Sequence, residues 1–238
     1  MEELEQRIKL YKPSTEAQDL IRHTRVLLLV GPTGSGKNTL ERALLKTGEF
    51  VNIVTHTSRA PRINHGVTEK NGEAYYFLSN DEALKMLDDQ DFIEVAFIHG
   101  RLYGTSISEF MKAHEQGKIA VADIDINGVR SYRQLSNKVT AVFLLPPSFK
   151  VLLHRLVERY GKAHDDQEIR VRLNTALKEL DDLEKAEYFL PLINESMEEL
   201  TKQVIEITKG KLQPDLTVAH KLAKRITKDI NTYLSLTA

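Results

Sequence analysis

One stretch of this chain, in which an apolar strand passes straight into a glycine-rich turn, constrains its fold more than any other feature. Residues 26–30 read VLLLV, residues 31–39 read GPTGSGKNT, and a helical pattern covers residues 37–47. Glycines let successive backbone N–H groups point inward at phosphate oxygens, and the start of the helix adds its positive dipole end. Lys37 is then placed to reach the β- and γ-phosphates. The order of strand, turn and helix therefore predicts a nucleotide phosphate loop.

One position of this loop departs from the usual pattern. The residue after the lysine is Asn38, where a Ser or Thr hydroxyl usually ligates magnesium, and Thr39 follows it. The magnesium contact is therefore left open between the Asn38 carbonyl, Thr39 and a water molecule. The expected ATP-binding residues are Gly31, Pro32, Thr33, Gly34, Ser35, Gly36, Lys37, Asn38 and Thr39.

Short β-rich runs alternate with longer helical segments along the chain. The predicted strands cover residues 26–30, 51–54, 74–79, 92–98, 119–124 and 139–145. The predicted helices cover residues 37–47, 106–116, 126–135, 148–159 and 167–187, and two more follow Ser196 and Pro214. The runs at 74–79 and 92–98 are mixed in character and close together, which indicates a small separate sheet. The alternation predicts a three-layer α/β fold with a parallel central sheet.

Composition and charge exclude several classes of protein. The chain has 238 residues, no cysteine and a formal net charge of -1. The lack of cysteine excludes a disulfide scaffold, a thiolate metal site and a cysteine nucleophile. No overall positive field is present to hold nucleic acid or an anionic membrane. Acidic first residues and short apolar runs predict a cytoplasmic protein with neither a membrane span nor an export signal.

A second phosphate-binding feature follows the second predicted strand. Residues 55–62 read THTSRAPR, which places Arg59 and Arg62 three residues apart in a loop. Two arginines at this spacing can converge on one phosphate, because the planar guanidinium group binds phosphate oxygens in pairs. This loop is therefore a second candidate phosphate-binding segment.

The motifs together resemble the guanylate kinases, nucleoside monophosphate kinases that phosphorylate GMP with ATP. The shared motifs follow the family's order and are the phosphate loop, T-x-T-S-R-A-P-R, E-x-x-G-x-x-Y at 69–75, F-I-E at 92–94, Y-G-T-S at 103–106 and D-I-D-x-x-G at 123–128. The match covers about residues 25 to 208.

The resemblance implies a P-loop NTPase fold with two insertions. It implies a core of residues 25–54, 106–154 and 173–208, a GMP-binding subdomain of residues 55–105 and a helical lid of residues 155–172. An N-terminal extension of residues 1–24 and a C-terminal helical extension of residues 209–238 flank this domain. Whether the apolar face of the last helix packs on the core or on a second subunit is left open, so an oligomer formed through the extensions is among the expectations.

The resemblance also implies the roles of individual residues. The GMP phosphate would be held by Thr55, Arg59, Arg62, Tyr75 and Tyr103. The guanine would be recognised by Glu94, which accepts from N1–H and the 2-amino group, with Thr105 and Asp125 completing the base site. The catalytic set would be Lys37, Arg155, Arg159, Arg172 and Asp123, with Asp123 acting through magnesium or its waters.

The implied activity is the Mg²⁺-dependent in-line transfer of the ATP γ-phosphoryl group to GMP and dGMP in purine nucleotide metabolism, without nucleic acid or membrane partners. Two alternatives stay open. One is a kinase of ribose 1,5-bisphosphate or of another small phosphate acceptor on the same scaffold, against which Glu94, Thr105 and Asp125 argue. The other is a non-catalytic guanylate-kinase-like interaction module, against which Lys37 and the loop glycines argue.

Overall fold

The computed structural model describes residues 2–64, 67–98, 100–160 and 166–236. The helices are α1 (Glu2–Leu10), α2 (Thr15–His23), α3 (Lys37–Leu45), α4 (Asn80–Asp88), α5 (Ile107–Glu115), α6 (Ile126–Leu135), α7 (Phe149–Tyr160), α8 (Asp166–Lys185), α9 (Met197–Thr208) and α10 (Thr217–Leu236). The strands are β1 (Val26–Val30), β2 (Phe50–Asn52), β3 (His56–Thr57), β4 (Ile63–Asn64), β5 (Val67–Thr68), β6 (Tyr76–Phe77), β7 (Phe92–Ile98), β8 (Arg101–Ser106), β9 (Ile119–Asp123), β10 (Val139–Leu145) and β11 (Phe189–Ile193).

The larger sheet has five strands, in the order β11-β10-β1-β9-β2. The pairs β10–β11 and β2–β9 are parallel. All five residues of β1 are buried, as expected for an apolar strand in a parallel sheet covered on both faces. The predicted α/β architecture with a parallel central sheet is confirmed.

The chain divides into two compact units. The phosphate-loop unit comprises Leu27–Thr47, Asp123–Ile126 and Thr140–Ala238, and the insertion unit comprises Met1–Val26, Gly48–Ala122 and Asn127–Val139. Besides residues 55–105, the insertion unit contains the N-terminal helices, β2, α5, most of β9 and most of α6. The division into core, insertion and lid stays a prediction. Residues 161–165 of the predicted lid lie outside the described residues.

The insertion unit contains its own four-stranded sheet in the order β6-β3-β8-β7. β3 is parallel to β6 and antiparallel to β8, and β7 is antiparallel to β8. The β7–β8 register shifts between Phe92 and Glu94 and then pairs Glu94 with Thr105. Both segments that were predicted to form a small separate sheet lie in it, although the first is reduced to Tyr76–Phe77.

The two N-terminal helices pack within the insertion unit. Leu4 and Ile8 of α1 are buried in one cluster with Leu87, Phe92 and Leu102. Helix α1 contacts α4, β7 and β8, and helix α2 contacts α5 and β7. The segment predicted as an extension is therefore part of this unit's hydrophobic core.

The C-terminal helix α10 packs within the phosphate-loop unit against α7, α8 and β11. Its buried residues are Ala219, Ala223, Ile226 and Ile230, so three of the five apolar residues predicted for this face are buried, while Leu222 and Tyr233 are half-buried. The rings of Phe149 and Tyr233 lie 5.7 Å apart, and Arg170 donates to the Leu234 carbonyl at 3.4 Å. Among the described helices, none combines the length and apolar character that crossing a bilayer requires.

Strand β11 was not predicted, and its sequence explains why. It reads FLPLI, and a proline inside an apolar run normally argues against a strand because it lacks the N–H donor. β11 is at the edge of the five-stranded sheet, where an edge strand tolerates that loss. This strand leads directly to Asn194, a residue of the site described next.

Candidate functional site

The phosphate loop follows β1, and two of its glycines cannot be replaced without a clash. Gly31 has a φ of +128°, and a Cβ there would lie 2.5 Å from the Leu144 carbonyl oxygen. Gly36 has a φ of +107°, and a Cβ there would lie 2.2 Å from Asn194 Nδ2. The loop therefore needs glycine both for its left-handed backbone and for its close approach to neighbours.

Two side chains from distant parts of the phosphate-loop unit hold the loop in shape. Asn194 Nδ2 donates to the Ser35 carbonyl at 2.7 Å, and Arg155 Nη1 donates to the Gly34 carbonyl at 2.9 Å. Arg155, predicted as a catalytic arginine, is thus bonded to the loop backbone. Asn194 was missed by the sequence reasoning, since the strand before it was also missed.

Helix α3 begins at Lys37, with the left-handed Gly36 at its N-cap and no side-chain cap. The backbone N–H groups in the first turn of a helix have no intrahelical acceptor, and without a side-chain cap they can bind an anion. Asn38 and Thr39 are exposed in this turn. Lys37 Nζ donates to the Gly31 carbonyl at 2.5 Å and lies 3.9 Å from Asp123 Oδ1.

Asp123 lies at the end of β9 with 36% of its side chain exposed. Burial raises the pKa of Asp123, while the charges of Lys37 and Arg159 oppose that shift. Lys37 and Asp123, which were each predicted as catalytic residues, therefore lie close together in the structure.

Two further carboxyl groups interact electrostatically with residues of this site, and neither was predicted. Burial raises the pKa of Glu41 to about 7, with Asp123 adding to the shift. Glu41 lies four residues after Lys37 on α3, and this i, i+4 spacing on one helix face is the signal that could have found it.

The second of these carboxyl groups is Glu179 on α8. Burial raises its pKa to about 7; Lys37 and Arg172 oppose the shift, whereas Asp123 and Asp125 add to it. Glu179 lies two helical turns after Arg172, on the same side of α8. Protonated carboxyl groups at this site would reduce the charge repulsion against an incoming polyphosphate.

The remaining predicted lid arginines meet at one aromatic ring. The guanidinium carbons of Arg159 and Arg172 each lie 5.4 Å from the centroid of Tyr160. Arg172 also bonds Glu168 through Nε at 2.7 Å. The structure thus brings Arg159 and Arg172 together at the end of α7 and the start of α8, while Tyr160 was not predicted.

The predicted phosphate-binding residues of the insertion unit gather around Arg59. Arg59 Nη1 lies 2.9 Å from Glu69 Oε2, and the Arg59 guanidinium carbon is 5.1 Å from the Tyr75 ring centroid. The Tyr75 and Tyr103 rings meet edge to face at 6.0 Å. Burial lowers the pKa of Arg59, but the hydrogen bond and the negative charge of Glu69 together have the larger effect. The pKa of Arg59 is therefore raised overall, and the arginine stays charged.

Glu69 also organises the loop that contains Arg62. Its Oε2 accepts from the Arg62 backbone N–H at 2.8 Å, while the Arg62 side chain is exposed. Burial raises the pKa of Glu69, but hydrogen bonds from Arg59 and Arg62 outweigh it and lower the pKa overall. Thr55 lies half-buried just before β3, and its carbonyl accepts from the Tyr76 N–H at 2.9 Å.

Glu94, the predicted base-reading carboxylate, is 7% exposed. The Thr105 hydroxyl donates to Glu94 Oε1 at 3.1 Å, and the Tyr132 hydroxyl donates to Thr105 Oγ1 at 2.7 Å. Tyr132 was missed, because nothing in the sequence pattern of α6 distinguishes it from an ordinary core residue. Asp125 is exposed and belongs to the phosphate-loop unit.

The site offers oxygen ligands of the kind that magnesium takes when it is bound to phosphate. Within the described part of the chain, no group of three or more His, Asp or Glu side chains is arranged to hold a metal ion. Mg²⁺ at a nucleotide usually takes one or two protein oxygens and completes its shell with phosphate oxygens and water. The carboxylate of Asp123 and the exposed oxygens of Asn38 and Thr39 are of that chemical type.

Comparison with known proteins relates this arrangement to one family. The guanylate kinase family model matches residues 23–211. A guanylate kinase of Thermotoga maritima is 29% identical over 78% of this chain and 86% of its own length. A guanylate kinase of Trichormus variabilis is 34% identical over 77% of this chain and 88% of its own length.

A solved structure gives the same relationship at the level of the fold. The crystal structure of guanylate kinase from Anaplasma phagocytophilum superposes with a TM-score of 0.59 and 25% identity, covering 81% of this chain and 88% of that chain. Residues 23–211, which the family model matches, contain the phosphate loop and the motif residues described above. This chain belongs to the guanylate kinase family.

Proposed function

We propose that this protein transfers the γ-phosphoryl group of ATP to a phosphate oxygen of GMP, with Mg²⁺ bound to the donor phosphates. The buried carboxylate of Glu94 supports the choice of acceptor more than any other single observation. It is 7% exposed and is held at Oε1 by Thr105. A buried carboxylate needs donors, and the guanine edge supplies two, N1–H and the 2-amino group.

Adenine offers this carboxylate no matching pair of donors. An adenine opposite Glu94 would bring neither of the two donors that guanine brings to this buried charge, and a polar site rejects such an analogue strongly. The guanine preference therefore follows from hydrogen-bond chemistry rather than from the shape of a pocket alone.

The acceptor phosphate is assigned to the group around Arg59. Arg59 stays positively charged beside Glu69, with Tyr75 stacked near it and Tyr103 against Tyr75. Arg62, exposed and three residues further along, supplies a second guanidinium group. An arginine pair with tyrosine hydroxyls is suited to a dianionic phosphate.

The donor phosphates are assigned to the loop of residues 31–39. Its glycine-defined backbone, the uncapped start of α3 and Lys37 together form a cradle for phosphate oxygens. Arg159 and Arg172 supply the positive charge that phosphoryl transfer needs, because this reaction depends mainly on positioning and charge neutralisation. No general base is required for this assignment.

Mg²⁺ would be held by Asp123, directly or through water, together with an oxygen of Asn38 or Thr39. When bound, the ion would neutralise charge on the transferring phosphate. Lys37 would hold the loop carbonyl and the phosphate in register, and Asp123 would keep Lys37 oriented across 3.9 Å.

The test is a panel of phosphoryl acceptors with Mg-ATP, followed by ADP release. We expect rapid turnover with GMP and dGMP and little with AMP, UMP, CMP, dTMP or ribose 1,5-bisphosphate. The Lys37→Met variant, which keeps the length of the side chain without its charge, should lose at least about 10³-fold in kcat. Its circular dichroism spectrum should match that of the wild type.

Other outcomes would redirect the assignment. Turnover confined to ribose 1,5-bisphosphate would identify a sugar-phosphate kinase on the same scaffold. GMP binding without turnover of any acceptor would identify an interaction module. Near-normal turnover in Lys37→Met would remove the phosphate loop from the reaction.

A further inference from the structure

We propose that Tyr132 is a positioning residue for guanine selection, which acts by orienting Glu94 through Thr105. The inference rests on the proposed GMP kinase function and deepens it. It starts from a buried hydroxyl group that neither the family motifs nor the proposed mechanism uses.

The three side chains form one hydrogen-bonded chain within the insertion unit. Tyr132 lies on α6 and is 0% exposed, Thr105 lies at the end of β8 and is 0% exposed, and Glu94 lies opposite Thr105 on β7. The Tyr132 hydroxyl donates to Thr105 Oγ1 at 2.7 Å, and Thr105 donates to Glu94 Oε1 at 3.1 Å. Burial of all three groups keeps water from substituting for any link.

The number of protons that each group carries decides which group donates in each of these two hydrogen bonds. Burial, with the negative charge of Glu94, raises the pKa of Tyr132 well above its ordinary value, so its proton stays in place. A hydroxyl carries one proton, and Thr105 accepts from Tyr132. The Thr105 proton is therefore directed at Glu94, which as a carboxylate only accepts.

Packing alone accounts for the ring of Tyr132 but not for its hydroxyl. The ring stacks on Phe110 with centroids 5.7 Å apart and planes inclined by 30°. A phenylalanine would provide the same stack. The hydroxyl adds a buried polar group whose burial is costly unless it is hydrogen-bonded, and its partner is the residue that anchors Glu94.

The consequence for selectivity concerns the plane of the Glu94 carboxylate. Guanine needs both oxygens of one carboxylate in a fixed plane, since N1–H and the 2-amino group bond side by side. Hypoxanthine has N1–H but lacks the 2-amino group, so IMP makes only one of these bonds. If the Glu94 carboxylate is held less firmly, the binding of GMP should therefore weaken more than the binding of IMP.

The main experiment compares GMP and IMP as acceptors in the wild type and in Tyr132→Phe. We expect the KM for GMP to rise about tenfold, which corresponds to about 1.4 kcal/mol, with kcat for GMP within about twofold. The GMP-to-IMP ratio of kcat/KM should fall at least about fivefold. GMP affinity measured by calorimetry should fall in parallel with the change in KM.

The matched control is Tyr11→Phe. Tyr11 also lies in the insertion unit, and its hydroxyl donates to the Phe92 carbonyl at 2.6 Å rather than to the Thr105–Glu94 pair. This variant should lower thermal stability while leaving the GMP-to-IMP ratio at the wild-type value. An equal fall in the ratio in both variants would overturn the positioning role.

A double-mutant cycle tests whether Tyr132 acts through Thr105. Thr105→Val removes the hydroxyl at nearly constant shape and should lower the GMP-to-IMP ratio, whereas Thr105→Ser keeps the hydroxyl and should retain the ratio. Tyr132→Phe should change the ratio no further in the Thr105→Val background. Additive effects, or a loss of the ratio in Thr105→Ser, would overturn the inference.

The two proposals fail in different ways. Failure of the wild type to phosphorylate GMP would overturn the proposed function and this inference together. A wild type that phosphorylates GMP, with an unchanged ratio in Tyr132→Phe, would overturn only the role of Tyr132.

Discussion

Glu94 shows how a single buried charge can be both a cost and a source of specificity. A carboxylate removed from water loses solvation that hydrogen bonds must offset. Thr105 supplies one of those bonds, and the proposed guanine supplies two more. Selectivity then arises because a base other than guanine forms fewer of the hydrogen bonds that offset the lost solvation of Glu94.

The residue-scale prediction concerns Glu94→Gln. The amide keeps the size of the side chain but replaces one acceptor oxygen with a donor that opposes the guanine N–H groups. We expect kcat/KM for GMP to fall about 10²-fold, because two charge-assisted hydrogen bonds weaken. The ratio of GMP to AMP turnover, measured by ADP release, checks this.

Glu73→Gln is the control for that substitution. Glu73 is exposed and pairs with Lys70 on the surface of the same unit, where such a pair contributes little. Its GMP-to-AMP ratio should equal that of the wild type. Unchanged selectivity in Glu94→Gln would remove Glu94 from the base site.

At the scale of elements, the phosphate loop depends on a glycine–asparagine contact. Gly36 is the N-cap of α3, and because it has no side chain, the Asn194 amide can donate to the Ser35 carbonyl at 2.7 Å. The loop's shape is thus decided by a contact between the start of α3 and the residue that follows β11.

Gly36→Ala should therefore raise the KM for ATP, beyond any effect of the substitution on the stability of the fold. The new Cβ would lie 2.2 Å from Asn194 Nδ2, so the amide must move away from Ser35. We expect the KM for ATP to rise at least about tenfold, equivalent to about 1.4 kcal/mol. Initial rates at varied ATP concentration measure this.

Gly48→Ala separates backbone strain from the lost contact. Gly48 has a φ of +78°, and nothing lies within 4 Å of its expected Cβ. This variant should lose about 1 kcal/mol of stability, the usual cost of a left-handed non-glycine residue, and keep the wild-type KM for ATP. Equal ATP KM values in the two variants would contradict the role given to Asn194.

Helix α1 gives a second prediction at this scale. Leu4 is 2% exposed in the cluster with Phe92 and Leu102, whereas Leu10 at the end of the same helix is 78% exposed. Leu4→Ala should lower the free energy of unfolding by about 2–4 kcal/mol, through lost burial and a cavity. Leu10→Ala should change it by less than about 0.5 kcal/mol.

Urea denaturation of both leucine variants measures this difference. Equal stabilities would show that α1 does not pack on the insertion unit. Comparison of GMP KM values in folded Leu4→Ala would further report whether this packing supports β7, which also contains Glu94.

At the scale of the whole molecule, the free energy of unfolding depends on pH through a buried histidine and two buried glutamates, whose contributions change with pH in opposite directions. Burial lowers the pKa of His56 to about 4, with Glu109 opposing and Lys112 adding to the shift. Because its folded-state pKa is below the unfolded value, the stability it contributes is present above about pH 6.5 and is lost as pH falls towards 4. Glu41 and Glu179, with pKa values raised to about 7, act in the opposite sense, since their contribution is lost as pH rises through 7.

His56→Phe should isolate the histidine from these opposing carboxyl groups. The ring stack on Tyr76, with centroids 4.7 Å apart, would be kept while the titrating group is removed. Between about pH 7.5 and pH 5, the wild type should lose about 2 kcal/mol of stability relative to the variant. Urea midpoints at the two pH values measure this.

His114→Gln provides the comparison, because His114 is exposed in the same unit. Its pH dependence should follow the wild type. A His56→Phe variant with the wild-type pH dependence would show that His56 is not buried as a neutral ring.

The amino-acid sequence by itself determined the elements whose causes are local. The strand over residues 26–30, the loop and the start of α3 could be predicted because apolar runs, glycines and the lysine are adjacent in the chain. β7 and β10 were predicted to the residue for the same reason. The candidate site residues Lys37, Asp123, Arg59 and Glu94 were predicted from motifs that resemble those of the guanylate kinases, and their roles stay predictions.

Only the tertiary structure decided which distant side chains support those residues. Asn194 reaches Ser35 across 159 positions, and Tyr132 reaches Thr105 across 27. No local period encodes such pairs, because each is fixed by strand pairing and helix packing rather than by neighbours in the chain. β11 shows the same limit, since its proline is acceptable only at the edge of a sheet, and the position of an edge is a property of the assembled sheet.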